Sequence, residues 1–156
     1  MRRIVTIAVI VCSLVAAISW RVPAQPSSVV ERGALRQALA TAWLPLESGL
    51  VLGSTQGIPI SAKYELEDGF LQLSVYTLKP DVEDLTDGVD LSAARSQKAA
   101  MATAKRSLGA VTASAVNANP GYRAVSVMPS LDGGHAVVEV VLVRGNDWKV
   151  VSAPLD

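Results

Sequence analysis

Cysteine and histidine are nearly absent from this 156-residue chain, which has one of each, Cys12 and His135. One histidine without acidic co-ligands at suitable spacing does not build a zinc site. Serine-nucleophile motifs (Gly-x-Ser-x-Gly, Ser-x-x-Lys) and the Gly-x-x-x-x-Gly-Lys phosphate loop are missing from the sequence. We therefore predict that the chain is not an enzyme and has no catalytic residue, cofactor or metal site.

An excess of one charge and aromatic side chains are also lacking. The 14 Lys and Arg residues balance 14 Asp and Glu residues, and aromatic residues make up 4% of the chain. This composition disfavours both a basic nucleic-acid surface and a base-stacking platform. We predict no nucleic-acid partner. The hydrophobic content of 50% instead indicates a folded chain, of about the length of one domain.

The N-terminus has the layout of a secretory signal. Arg2 and Arg3 precede an uncharged, mostly apolar run over residues 4–20, and Val22-Pro23-Ala24 suits cleavage before Gln25. We predict a signal peptide over residues 1–24 and a periplasmic or secreted domain over residues 25–156. The alternative is an uncleaved anchor in the inner membrane, because the run would span about 25 Å as a helix. Membrane contact is expected only in that case.

Removal of the predicted signal peptide would change the cysteine content and the net charge of the chain. Cys12 lies inside it, so the mature chain would have no cysteine. Three basic residues precede Gln25, which leaves 11 positive against 14 negative side chains and a net charge of −3. The mature domain is expected to be mildly acidic and to owe its stability to burial of apolar surface.

Apolar residues at three- and four-residue steps predict two helices, over residues 28–44 and 90–116. Pro45 ends the first helix, because a residue that precedes proline is disfavoured in helical conformation. Residues 46–57 are expected to form a connection. An acidic linker over residues 81–90 leads into the second helix.

Between the two predicted helices, apolar and polar residues alternate over residues 58–66, and this alternation predicts a strand. Asp68-Gly69 favours a two-residue turn with positive φ, which fixes the register of a hairpin. Apolar residues then meet on one face and polar residues on the other. The predicted pairs are Leu66 with Leu71, Tyr64 with Leu73, Ala62 with Val75, Ile60 with Thr77, Glu65 with Gln72, and Lys63 with Ser74.

Three more strands are predicted near the C-terminus, over residues 123–128, 136–143 and 148–153. The middle strand has almost no polar face, which is typical of a strand that is covered on both sides or covered by a partner. A turn at Gly145-Asn146 would place Arg144 opposite Asp147 as a surface ion pair.

The order helix, connection, strand, Asp-Gly turn, strand occurs twice, in units over about residues 28–80 and 91–156. Neither unit could bury both faces of its hairpin alone, so we expect the two units to share one core. The predicted fold class is α+β, with helices packed on an antiparallel sheet.

In this arrangement the sequence resembles the PepSY domain family. The resemblance rests on residues 58–69 and 71–76 in the first unit, and on residues 132–135, 138–140 and 148–151 in the second. An Asp-x-x-Thr-Gly strand ending that is common in the family is replaced here by the acidic linker. The resemblance implies a small extracytoplasmic α+β module that binds other proteins and restrains peptidases.

We therefore expect a non-catalytic protein-binding module whose partner is an extracytoplasmic protein or a second copy of the chain. A more specific hypothesis is restraint of a protease or peptidase. The alternative is a binder of small molecules or lipids, and an enzyme is a third possibility. The expected docking surface is Val141, Val143, Trp148 and Val150; if it proves to be core, the cationic helix face around Lys98 and Lys105 is the next candidate.

Overall fold

The computed structural model describes residues 8–13, 29–78 and 91–156, with the backbone alone for residues 8–13 and 91–94. Most of the predicted signal peptide, Ser28 and the acidic linker lie outside these ranges. The helices are α1 Val29–Leu39, α2 Leu46–Gly53, α3 Leu91–Thr103 and α4 Leu108–Asn117. The strands are β1 Ala8–Ser13, β2 Ile58–Glu67, β3 Phe70–Leu78, β4 Arg123–Asp132, β5 His135–Arg144 and β6 Asp147–Pro154.

The strands form one sheet in the order β1-β3-β2-β4-β5-β6. Strands β2 to β6 pair antiparallel with their neighbours, whereas β1 is added in parallel at the edge of β3. Helices α1 and α2 lie against β2 and β3, and helices α3 and α4 lie against β4 and β5. The predicted α+β class, with helices packed on an antiparallel sheet, is confirmed.

One apolar cluster joins both halves of the described chain. Strands β2 and β4 are neighbours at the centre of the sheet, where Ala62 pairs with Val127. Above them α2 contacts α4, and an added Cβ on Gly109 would lie 3.8 Å from Leu50 Cβ. The largest fully buried side chains come from both halves: Leu39, Leu46, Leu50, Ile60, Leu71, Leu73, Val75, Leu108, Val111, Val127, Leu142 and Leu155.

The predicted β2–β3 hairpin is confirmed, with one correction. Asp68 and Gly69 have φ of 51° and 80°, as a two-residue turn with two positive φ angles requires. The predicted pairs from Leu66–Leu71 to Ala62–Val75 are present. The expected pairing of Ile60 with Thr77 is wrong, because the register shifts between Pro59 and Ser61, and Pro59 pairs with Thr77 instead. A proline has no N–H for the ladder, which fits an extra residue in β2 at this point.

The first predicted helix is shorter than expected, and the predicted connection after it contains a second helix. The carbonyls of Leu39, at the end of α1, and of Ala42, just after it, accept hydrogen bonds from the Arg123 guanidinium at 2.7 and 2.8 Å. Pro45 then stands immediately before α2 in extended conformation. The prediction that Pro45 ends the first helix is wrong, because α1 already ends at Leu39, and the proline instead marks the beginning of α2.

The second predicted helix is divided into α3 and α4. The backbone N–H groups of Lys105 and Arg106 donate to the Leu155 carbonyl at 2.7 and 3.0 Å. Ser107 then caps α4, because its hydroxyl accepts from the Ala110 N–H at 3.2 Å. The C-terminal segment thus takes the donors that a continuous helix would have used internally.

The predicted β5–β6 register is confirmed. Val143 pairs with Trp148, and Arg144 pairs with Asp147 across the turn. The Arg144 Nη2 and Asp147 Oδ2 atoms are 3.8 Å apart, at the exposed end of the hairpin.

Candidate functional site

The four predicted docking residues lie together on the β5–β6 hairpin. Val143 pairs with Trp148 and Val141 pairs with Val150, so the four side chains share one face of the sheet. Their exposure differs, however: Val141 and Val143 are each 5% exposed, Trp148 is half-buried and Val150 is 49% exposed. The part of this surface that a partner could reach without rearrangement is Val150 with part of Trp148.

Helix α1 approaches the same face of the hairpin. The Arg32 guanidinium lies 5.9 Å from the centre of the Trp148 ring, within the range of a cation–π contact. The alternative predicted face, around Lys98 and Lys105, is exposed on α3 and on the connection to α4.

The two edges of the sheet are the places where a strand of another chain could be added. Strand β6 pairs with β5 alone among the described strands, so its other side presents backbone donors and acceptors outward. The edge of β3 is instead occupied by β1, in a parallel register that runs from Ala8 opposite Gln72 to Ser13 opposite Thr77. An apolar segment from the predicted signal peptide therefore serves as an added strand.

A cleft of about 530 Å³ opens between the C-terminal half of α1 and the neighbouring ends of β4 and β5. Among the described residues, its lining includes three arginines from three separate elements and no acidic residue. The residues that line it are Arg36, Gln37, Leu39, Ala40, Gly121, Arg123, Val143, Arg144 and Gly145.

The three arginines have different surroundings. Arg123 is held by the carbonyls of Leu39, at the end of α1, and of Ala42, in the connection after it, while the Arg144 guanidinium stacks 4.5 Å from the centre of the Tyr122 ring. Arg36 has no hydrogen-bond or ion-pair partner for its guanidinium among the described residues. The hydroxyl of Tyr122 donates to Asp147, and this hydrogen bond is the main reason that the pKa of Tyr122 is raised.

The remaining polar groups belong to local structure. The Tyr64 hydroxyl donates to the Leu44 carbonyl, and burial raises the pKa of Tyr64. His135 Nδ1 lies 2.9 Å from Asp156 Oδ2 at an exposed position, and this contact lowers the pKa of Asp156. Within the part of the chain that the structure describes, no three His, Cys, Asp or Glu side chains are grouped as metal ligands.

Comparisons with protein-family models, curated proteins and solved structures found no match to this chain. The resemblance to PepSY domains thus stays a prediction. Over the described residues, no helix has the length and apolar character that crossing a bilayer requires.

The sequence did not predict the arginine cleft, because its three cations are far apart along the chain. Arg36 lies in the third turn of α1, Arg123 begins β4 and Arg144 ends β5. No spacing relates these positions until the sheet brings them together. The predicted ion pair of Arg144 with Asp147 marked one of the three as a surface residue only.

Proposed function

We propose that this chain is a non-catalytic protein-binding module that accepts an extended segment of another protein as an added strand at the edge of β3. The observation that supports this proposal is the position of β1, which already occupies that edge as a six-residue parallel strand. Strand addition is an established way for proteins to bind extended peptides, with the backbone supplying affinity and alternate side-chain positions supplying specificity.

The edge would be open in the exported protein. Cleavage after Ala24 would remove β1 with the signal peptide, and an uncleaved signal would hold the same segment in the bilayer. In both cases β3 is left with unpaired N–H and C=O groups along its length, which is a template for another chain.

The register indicates what kind of segment fits. Val9 pairs with Leu73 and Val11 pairs with Val75. The side chains of Leu73 and Val75 are fully buried. A partner with apolar residues at two alternate positions would continue the apolar face of β3. We therefore propose an extended, apolar segment of an extracytoplasmic protein as the ligand, and the resemblance to PepSY domains adds a peptidase as a more specific partner.

The test uses the chain from Gln25 to Asp156 and a fluorescent peptide of residues 8–13 flanked by lysines, with binding followed by anisotropy. Two further peptides carry N-methyl groups at alternate positions, either Ala8, Ile10 and Cys12 or Val9, Val11 and Ser13. Alternate N–H groups of an added strand point to opposite sides. One methylated peptide should therefore lose binding, and the other should keep it.

The outcome of this comparison separates strand addition from other binding. If the unmethylated peptide does not bind, the β3 edge is not a docking site and the proposal is wrong. If both methylated peptides bind as well as the parent, the contact is made by side chains, and the proposed mode is equally wrong. The full chain is the control, because β1 should compete with the peptide.

A further inference from the structure

The arginine cleft has the size of a site for a small molecule. Its volume of about 530 Å³ lies within the range of about 300–1,000 Å³ that is common for ligand sites. The cleft lies between the C-terminal end of α1, the beginning of β4 and the end of β5, whereas the strand-addition site lies along β3. A ligand in the cleft would thus be a second binding activity, independent of strand addition.

The charge of the cleft is not balanced by its lining. Arg36 has no polar partner for its guanidinium among the described residues. Arg144 lies 3.8 Å from Asp147, which is longer than the 2.7–2.9 Å of a charge-assisted hydrogen bond. Asp147 is also engaged by the Tyr122 hydroxyl. Both arginines therefore retain donors for a ligand.

Two of the three cations are held in place before any ligand binds. Arg123 is fixed by its bonds to Leu39 and Ala42, and Arg144 stacks on Tyr122. Gly121 lies close beside Arg144, since an added Cβ there would be 3.2 Å from Arg144 Cδ. Donors that are already ordered lose less entropy on binding.

From this cleft we infer a binding site for a small anion that carries two or more carboxylate or phosphate groups. The planar guanidinium fork matches carboxylate and phosphate oxygens. Arg36 and Arg144 offer two such forks and Arg123 adds a third positive charge, which favours a ligand with more than one acidic group. The chain beyond the predicted signal has a net charge of −3, so this cluster of cations is a local feature and not part of a generally basic surface.

The experiment is isothermal titration of the full chain with citrate, succinate, acetate and pyrophosphate at constant ionic strength. Citrate or pyrophosphate should bind more tightly than succinate, and acetate should bind most weakly. Whether citrate or pyrophosphate binds more tightly shows whether the site prefers carboxylate or phosphate groups. The double variant Arg36→Gln and Arg144→Gln should lose at least tenfold in affinity, since two charge-assisted contacts are removed. Arg123 is left intact because it supports α1.

A matched control removes two positive charges elsewhere, with Arg95→Gln and Lys98→Gln on the exposed face of α3. It should bind the anion as the parent does. Equal loss in both double variants would show diffuse charge attraction and overturn the site, as would the absence of saturable binding for every anion. If the cleft variant unfolds, an NMR titration of the unmodified chain with the anion decides. The amide signals of Gly121 and Gly145 should shift and that of Gly33 should not. A shift at Gly33 without shifts at Gly121 and Gly145 would reject the cleft as the binding site.

Discussion

The close approach of α2 to the sheet gives a sharp test of the packing. An added Cβ on Gly49 would lie 2.3 Å from Leu73 Cδ2 and 3.3 Å from Leu73 Cγ. Leu73 is fully buried, so its side chain cannot move into solvent. We expect Gly49→Ala to destabilise the domain, although alanine is the better helix former.

The magnitude follows from two opposing effects. Replacing glycine by alanine in a helix interior stabilises by about 1 kcal/mol. Forcing a methyl group into a filled core costs about 1–3 kcal/mol. The net result expected for Gly49→Ala is a loss of about 1 kcal/mol. At Gly33, in α1, an added Cβ would meet nothing within 4 Å, so Gly33→Ala should stabilise by about 0.5–1 kcal/mol.

Urea unfolding followed by circular dichroism measures both variants against the parent. The two free energies of unfolding should change in opposite directions, with the slope against urea concentration unchanged. Stabilisation by Gly49→Ala, equal to that by Gly33→Ala, would mean that α2 does not rest on Leu73 and that this packing is wrong.

Three further predictions concern single groups. Tyr64→Phe should lower the free energy of unfolding by about 1 kcal/mol in urea melts, because the buried Leu44 carbonyl loses its donor; no change would mean that water replaces the bond. Gly69→Val should cost about 1–2 kcal/mol at a φ of 80°, and a neutral result would place the turn elsewhere. The contact with His135 favours ionised Asp156, so its stabilisation is present above the ordinary carboxyl pKa and is lost as pH falls through the lowered one. In an NMR titration His135→Gln should raise the pKa of Asp156, and an unchanged pKa would contradict the contact.

The hairpins were predictable from sequence because two independent local signals agree in them. Alternation assigns each residue to a face, and the turn residues fix the pairing. Asp68-Gly69 set the β2–β3 register, and the turn at Gly145 set the pairing of Val143 with Trp148. Two details were wrong. The pairing of Ile60 fails because Pro59 locally disrupts the ladder. The second turn is formed by Gly133 and Gly134 and not by an Asp-Gly pair, because Asp132 is still part of β4 and pairs with His135.

The helix boundaries were not predictable from periodicity because distant groups determine them. Arg123 donates to the carbonyl of Leu39, the last residue of α1, and to that of Ala42 just after it, from more than eighty residues away. The Leu155 carbonyl likewise takes the donors of Lys105 and Arg106. Helix α2 was missed since its glycines read as a loop, whereas Gly49 is where helix and sheet come closest. The arginine cleft likewise depends on a long-range contact, that of Arg123 with Leu39.

The difference in exposure along β5 and β6 decides how the predicted docking surface can be tested. Replacing Val143 by serine removes a side chain that is 5% exposed and buries a hydroxyl, so we expect a loss of about 2 kcal/mol or more in the free energy of unfolding. Val150 is 49% exposed, and Val150→Ser should stay within about 0.5 kcal/mol of the parent. Association measured by analytical ultracentrifugation should therefore be compared between Val150→Ser and the parent. Reduced association in a domain of unchanged stability supports docking at this surface, whereas unchanged association directs the search to the Lys98 and Lys105 face.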